Sequence, residues 1–396
     1  MTVQPLLPVE DAFARLIALA RPLPGETVAL AQAAGRWAAE DIAARRTQPV
    51  TDLSAMDGYA IRFADLPGPW EVIGESAAGS RFVGDVAAGQ AVRIFTGAAM
   101  PPGADCVLVQ EEALRDDAWL RLAGEGPGHV GRNVRRRGLD FAEGETLIAA
   151  GERLTPARLA LAGVAGLGDV PVRRRVRVAI AATGDELVAP GMPVRADQLP
   201  ETNRLMIAAQ LAGLPVEIVD LGILPDDPAR LESAFSALDA DLLVTSGGAS
   251  VGDHDLVRPA LEAVGARMDF WRIALRPGKP MMAGTLGDAV VIGLPGNPVS
   301  AFVTTMLFVR PAVCAMAGAA DPQPPTRPAV LGEPLAANGP RTDYMRAQLV
   351  DGRVHVADTQ DSSMLRTLAR ADCLVVRPPH APEAAEGETV TILGLA

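Results

Sequence analysis

The sequence predicts a multidomain α/β protein with four parts. A central α/β domain on a parallel sheet is joined by a helical linker domain, a small mostly-β domain and a C-terminal β-barrel domain. Three observations carry this reading. Residues 176–318 alternate apolar runs with helical patterns, and the runs are continuous, as in a parallel sheet covered on both faces. Short β-like runs separated by Gly/Pro turns fill 46–140 and recur after residue 326. The 396 residues, 49% of them hydrophobic, suffice for several cores.

In chain order, residues 8–20 place Phe13, Leu16, Ile17 and Ala20 at helical spacing behind Glu10 and Asp11, acids that suit a helix N-terminus. An alanine-rich helix is expected over 30–41. A third, over 154–167, returns the chain to the first two, so 1–45 and 141–173 form one discontinuous helical linker domain. The small β domain, 46–140, holds strands near 70–76, 91–95, 106–110 and 118–122. It opens on Thr51–Ala60, where Ser54, Asp57 and Gly58 are turn chemistry, and ends in the basic loop 132–140.

The α/β domain spans 174–320. Strands are expected at 176–182, 216–219, 242–244 and 289–292, and helices at 204–214, 228–238, 255–264 and 298–315. The run Asp321-Pro-Gln-Pro-Pro325 is a linker. Residues 326–396 then offer five short strands that read as a small barrel.

Composition excludes several functions. A formal charge of −12 argues against a general nucleic-acid binder. Cys106, Cys314 and Cys373 lie far apart, without metal-like spacing, so reduced thiols and a cytoplasmic location are expected. No signal-like start is present, and the apolar stretch 290–309 is broken by Pro295, Gly296, Asn297 and Pro298, so no membrane span is expected.

The chemistry concentrates in loops. Thr245-Ser246-Gly247-Gly248-Ala249-Ser250-Val251-Gly252-Asp253-His254-Asp255 follows a buried-strand pattern and precedes a helix. Glycines there let backbone N–H groups approach a ligand, as phosphate-holding turns do. Thr183-Gly184-Asp185-Glu186, residues 222–227 and Leu294-Pro295-Gly296-Asn297-Pro298 also follow strands. In open α/β sheets ligands bind beyond the carboxyl ends of strands, so the four loops should converge. Arg276-Pro277-Gly278-Lys279-Pro280 would add cations. Asp185, Glu186, Asp226, Asp227, Asp253 and Asp255 crowd the same edge. Like charges about 4 Å apart repel by roughly 4 kcal/mol at an effective dielectric of 20, so cations or raised pKa values must relieve them. Oxygen ligands without a Cys or His cluster favour Mg²⁺, and Mg²⁺ beside an anion cradle is the arrangement of phosphoryl or phosphoanhydride chemistry.

Five stretches carry a family resemblance: Ser54-Ala-Met-Asp-Gly-Tyr-Ala60, Thr183-Gly-Asp-Glu-Leu187, Thr245 to Asp253, Arg276-Pro-Gly-Lys-Pro280 and Leu294-Pro-Gly-Asn-Pro-Val-Ser300. In this order they resemble the molybdopterin molybdenumtransferases, the family that also forms the E domain of gephyrin. The resemblance implies a molybdopterin-binding-like α/β domain and insertion of molybdate into adenylylated molybdopterin. It further implies Mg²⁺-dependent phosphoanhydride cleavage and AMP release. The expected assembly is an elongated homodimer with its cleft between subunits, supplied upstream by a molybdopterin adenylyltransferase.

By position, the catalytic acids fall on Asp57, Asp140, Glu186, Asp226 and Asp255. Glu186, Asp226, Asp253 and Asp255 form the implied metal set. Substrate contacts fall on Thr96, Thr183, Gly184, Asp185, Ser246, Gly247, Gly248, Ser250, Lys279, Pro295, Gly296, Asn297, Pro298, Arg341 and Ser362. The chain departs from the family's usual residues at Ala249, His254, Glu201-Thr202-Asn203 and Asp343, none of them a proposed acid. Two alternatives stand beside this reading, a molybdopterin adenylyltransferase-like enzyme and a non-catalytic gephyrin-like scaffold.

Overall fold

Parallel pairing at the centre of the molecule brings four strand ends to one edge. The computed structural model describes residues 6–248 and 256–395, the Trp271 side chain excepted. Val176–Thr183 pairs in parallel with Val216–Leu224 on one side and Leu242–Ser246 on the other, and Leu242–Ser246 pairs in parallel with Ala289–Leu294. Their registers set Thr183 opposite Leu224, Ala182 opposite Ser246, and Ser246 opposite Leu294.

Successive residues of a strand face opposite sides, and two cores result. Val178, Ile180, Leu242, Val244, Val290 and Ile292 face the helices Asn203–Leu211 and Pro298–Met316. Ala179, Leu243 and Val291 face Pro228–Ser236 and Val257–Ala263.

The sheet is mixed rather than wholly parallel. Arg267–Arg272 and Pro280–Leu286 extend it antiparallel beyond Ala289–Leu294. Neither strand is expected from the sequence. Charged residues interrupt the first, and Pro280 and Gly284 the second, which masks their β pattern.

Two further expectations are corrected around the linker. Val9–Leu19 is a helix, but its buried Val9, Ala12 and Leu16 pack into the core of the central sheet rather than with the linker. The helix expected over 30–41 is a single 3₁₀ turn, Leu30–Gln32. Gly35 has φ +75, Trp37 bridges to Arg153 and Ala38 to Val172, so cross-chain pairing overrides alanine's helical preference. The linker is therefore mostly short strands, Gly25–Ala29 with Asp169–Arg173 and Ile42–Ala43 with Thr146–Ile148. It keeps one helix, Pro156–Val164, with Pro in its first turn and Thr155 accepting from the Arg158 N–H at its start. One apolar cluster joins Ala33 and Ile42 to Phe141, Ile148, Leu154 and Val170.

The small β unit is a six-stranded sheet around the wholly buried Trp70. In the C-terminal unit Thr342–Val350 pairs with both Arg353–Val356 and Cys373–Arg377. Through Thr326–Leu331 and Thr389–Gly394 the sheet closes on itself as a five-stranded barrel. Pro298–Met316 is 19 residues long and apolar enough to cross a membrane, yet its most apolar window is 78% buried inside the molecule. It is a core helix.

Leu16 is wholly buried in the central core. Leu16→Ala should cost about 2–5 kcal/mol. Hydrogen exchange should locate the loss at the central-sheet amides, with the linker protected as before.

Candidate active site

The carboxyl edge of the sheet is held together by backbone. Gly184 donates its N–H to Leu224 O at 3.3 Å, and Gly247 donates to Leu294 O at 3.2 Å. Asp226 N–H donates to Asp185 Oδ1 at 3.1 Å. All four expected loops thus meet here, as far as they are described; Ser250, Asp253 and Asp255 lie outside the described residues, as do Ala249 and His254. Thr183, Gly184, Ser246 and Pro295 are buried at the base of the edge, while Asp185, Glu186, Asp226, Gly296 and Asn297 are exposed on it.

Glycine is required where the loops touch. A Cβ on Gly247 would stand 2.6 Å from Thr183 O, and one on Gly248 would stand 2.2 Å from Val257 Cγ2. Both residues also have positive φ, +95 and +63. Glu186 folds its carboxylate over Gly184, where a Cβ would come within 2.4 Å of Oε2. The buried hydroxyls of Thr183 and Thr245 have no hydrogen-bond partner among the described residues.

One residue at this edge carries a role that the sequence reading missed. Asn203, on the first turn of its helix, donates its amide to Ser246 Oγ and to Gly296 O, each at 2.8 Å. It ties the glycine-rich turn to the 294–298 loop. In the sequence it registers only as part of a departure from the family pattern. The signal was its place, a side-chain amide opening a helix beside the strand ends.

Cations gather where the 275–280 segment of the central unit meets the barrel. Leu275–Arg276 pairs in parallel with Thr342–Asp343, and Thr342 N–H donates to Ala274 O at 2.9 Å. Ser362 O accepts the Val299 N–H at 3.1 Å, which sets Ser362 at the start of the Pro298–Met316 helix. Arg276 is ion-paired with the buried Asp343. Partial burial, then the charge of Arg276, lowers the pKa of Arg341, so these two guanidinium groups are neighbours. Lys279 is exposed and forms no ion pair among the described residues.

Asp57, Thr96 and Asp140 are elsewhere. Asp57 Oδ1 accepts from both the N–H and the hydroxyl of Thr96, each at 2.8 Å. Those two bonds, and then attraction to Arg93, hold the Asp57 pKa below the usual carboxylate range. Asp140 is exposed, its N–H donating to Gln48 O at 3.0 Å. Among the described residues, none of the three makes a side-chain hydrogen bond or ion pair to the sheet edge of its own chain.

A match along the whole chain joins these separate parts. The MoeA N-terminal region (domain I and II) matches residues 7–166, a probable molybdopterin binding domain matches 179–315, and the MoeA C-terminal region (domain IV) matches 328–395. The chain is 37% identical to the molybdopterin molybdenumtransferase of Haemophilus influenzae, over 98% of each. The chain belongs to the molybdopterin molybdenumtransferase family. It is also 34% identical to molybdopterin molybdenumtransferase 2 of Mycobacterium tuberculosis, over 98% of each. A solved molybdopterin biosynthesis MoeA protein from Pyrococcus horikoshii superimposes with a TM-score of 0.86 at 26% identity, covering 98% of this chain and 100% of that one. The family matches include the regions flanking the α/β domain, which an adenylyltransferase-like reading leaves unused.

Two outcomes follow from the geometry. Asn203→Ala removes two hydrogen bonds worth about 1 kcal/mol each, so binding at the edge should weaken by roughly tenfold or more, read by calorimetry with an anionic substrate fragment. Asp57, with its depressed pKa, stays ionised until the pH falls below the ordinary carboxylate range, and its bonds to Thr96 are lost only there. Thr96→Val removes the hydroxyl bond. The Asp57 pKa, followed by carboxyl NMR titration, should rise toward its ordinary value, and an unmoved titration would rule out this cause.

Proposed function

We propose that the protein inserts molybdate into adenylylated molybdopterin to give molybdenum cofactor, cleaving the phosphoanhydride in a Mg²⁺-dependent step that releases AMP. The observation that carries this is the convergence of exposed carboxylates without basic partners on one sheet edge, beside a seam that carries Lys279 and Arg341. The curated relatives are named molybdopterin molybdenumtransferases, which supports a role in molybdenum cofactor biosynthesis.

Asp185, Glu186 and Asp226 are exposed and have no basic partner among the described residues. Among those residues no group of three or more His, Cys, Asp or Glu side chains is gathered as a metal cluster. Glu186 and Asp226 are the described half of the metal set, Asp253 and Asp255 the other. As hard oxygen donors they fit Mg²⁺, which would neutralise charge at the phosphoanhydride. Lys279, Arg341 and the Ser362 turn face the anionic substrates. Lys279 acts as a point charge, while Arg341, crowded by Arg276, gains from any anion placed between them. The glycine-rich turn brings its N–H groups toward the phosphates without side-chain interference.

Asp57, Thr96 and Asp140 fit the same reaction if the functional unit is a homodimer whose cleft each subunit shares. Their separation from their own chain's edge supports that arrangement. A cytoplasmic setting and delivery of adenylylated pterin by an upstream adenylyltransferase belong to the same proposal. The three free cysteines, two of them buried, agree with a reducing compartment.

The test is AMP release from adenylylated molybdopterin with Mg²⁺ and molybdate. Asp226→Ala and Asp57→Ala should each be inactive while folded. Refolding the two together in equal amounts should restore roughly a quarter of wild-type activity if subunits pair at random. No restoration, with mixed dimers verified by differential tags, would exclude the shared cleft. Absence of AMP release by the wild type would exclude the activity itself.

A further inference from the structure

A second cavity opens along the core helix, away from the sheet edge. From 299 to 316 every residue of Pro298–Met316 is buried except Phe302, Met306, Arg310 and Cys314. These recur every four residues. In a regular α-helix that spacing drifts about 40° per step. Here Thr305–Val309 is π-helical, and the wider turn reduces the drift, keeping the four side chains in one line. They line a cavity of about 920 Å³, across which stand Met206, Trp37 and Leu395. That volume is in the range of about 300–1,000 Å³ typical of small-molecule sites. None of the residues assigned to the sheet edge lines it.

Its charge is opposite to that of the chain. Arg153, Arg310 and Arg327 line the cavity, and Asp321 is the one acid among its described lining residues. No ion pair engages these three arginines among the described residues, although the chain carries a formal charge of −12. Arg153 is fixed over the Trp37 ring, 5.5 Å from its centroid, and donates to Gly35 O and Gly213 O. Arg310 gives one N–H group to Gln210 O. The Arg327 guanidinium has no hydrogen bond among the described residues, so donors remain on both for a ligand.

We propose that this cavity is a second binding site, taking an organic anion with an aromatic or alkyl body. The guanidinium groups match a carboxylate, phosphate or sulfonate. Phe302, Met306 and Met206 take the body, and the methionine side chains adapt to its shape. A ligand here would touch the linker through Trp37, the central core through the helix and the barrel through Leu395. Binding should therefore raise the melting temperature of the whole chain.

The probe is 8-anilinonaphthalene-1-sulfonate, an aromatic anion, titrated into the full-length protein. We expect saturable binding of one probe per chain. Arg327→Gln, at an exposed position, and Met306→Trp, which pushes a bulkier side chain into the apolar wall, should each weaken it by roughly tenfold. Lys279→Ala, at the other site, should leave it unchanged. Cys314 is the one cysteine that is not fully buried, and burial raises its thiol pKa to about 11. Its alkylation under alkaline conditions should slow in proportion to probe occupancy. Unchanged affinity in both variants that keep the wild-type melt, or unprotected Cys314, would overturn the proposal. So would affinity that falls as chain concentration rises, because a second copy would then cover the groove.

Discussion

Everything at the sheet edge depends on a backbone approach that leaves no room for a Cβ. The glycine-rich turn lies so close to Thr183 that a side chain at 247 would collide with a carbonyl, not with a flexible tip that might move aside. That contact and the Gly247–Leu294 and Gly184–Leu224 hydrogen bonds lock four loops into one surface. Asp185, Glu186 and Asp226 take their places from it. Asn203 reinforces the same contact from the side, since its amide reaches two loops at once. Lifting the turn by the width of a methyl group would separate the acids from the 294–298 loop together.

The barrel completes this surface by backbone rather than by side-chain packing alone. A two-residue strand from the central unit, Leu275–Arg276, joins the barrel's sheet at Thr342–Asp343. Asp343 is almost wholly buried and engages Arg276. Arg276 is thus committed to holding the seam, which leaves Lys279 and Arg341 as the cations open to a ligand. A buried pair of this kind fixes geometry more than it adds stability. Here the geometry fixed is the distance between the central sheet and the Ser362 turn.

How far the sequence discloses this differs by element. Of the four parallel strands, those near 242–244 and 289–292 are legible as unbroken apolar runs, while Arg177, Glu217 and Asp220 interrupt the other two; the loops after them are legible because three hold both glycine and an acid. The antiparallel pair, 267–272 and 280–286, is not legible, since its partners are chosen by the sheet and its own pattern is broken by charge, Pro and Gly. Alanine at 31, 33, 34, 38 and 39 suggests a helix only while Gly35 and the strands that pair with Trp37 and Ala38 are out of view. Asp57 stands out in the sequence as turn chemistry, yet its hold on Thr96, 39 residues on, comes from tertiary folding. Asn203 was hidden for a similar reason: its two partners lie 43 and 93 residues away.

Arginine partners hold several structural acids, and the acids of the sheet edge have none among the described residues. Asp52, Asp220, Asp239 and Asp241 each have an arginine partner, and none belongs to the proposed site. Asp185, Glu186 and Asp226 have no such partner among the described residues, although the chain carries 36 basic residues to its 48 acidic ones. An exposed ion pair contributes only about 0–1 kcal/mol, so leaving these acids bare costs little stability in attraction forgone. By withholding arginines from these acids, the fold leaves neutralising charge to be supplied from outside. In the proposed reaction a divalent cation beside the anionic substrate would supply it.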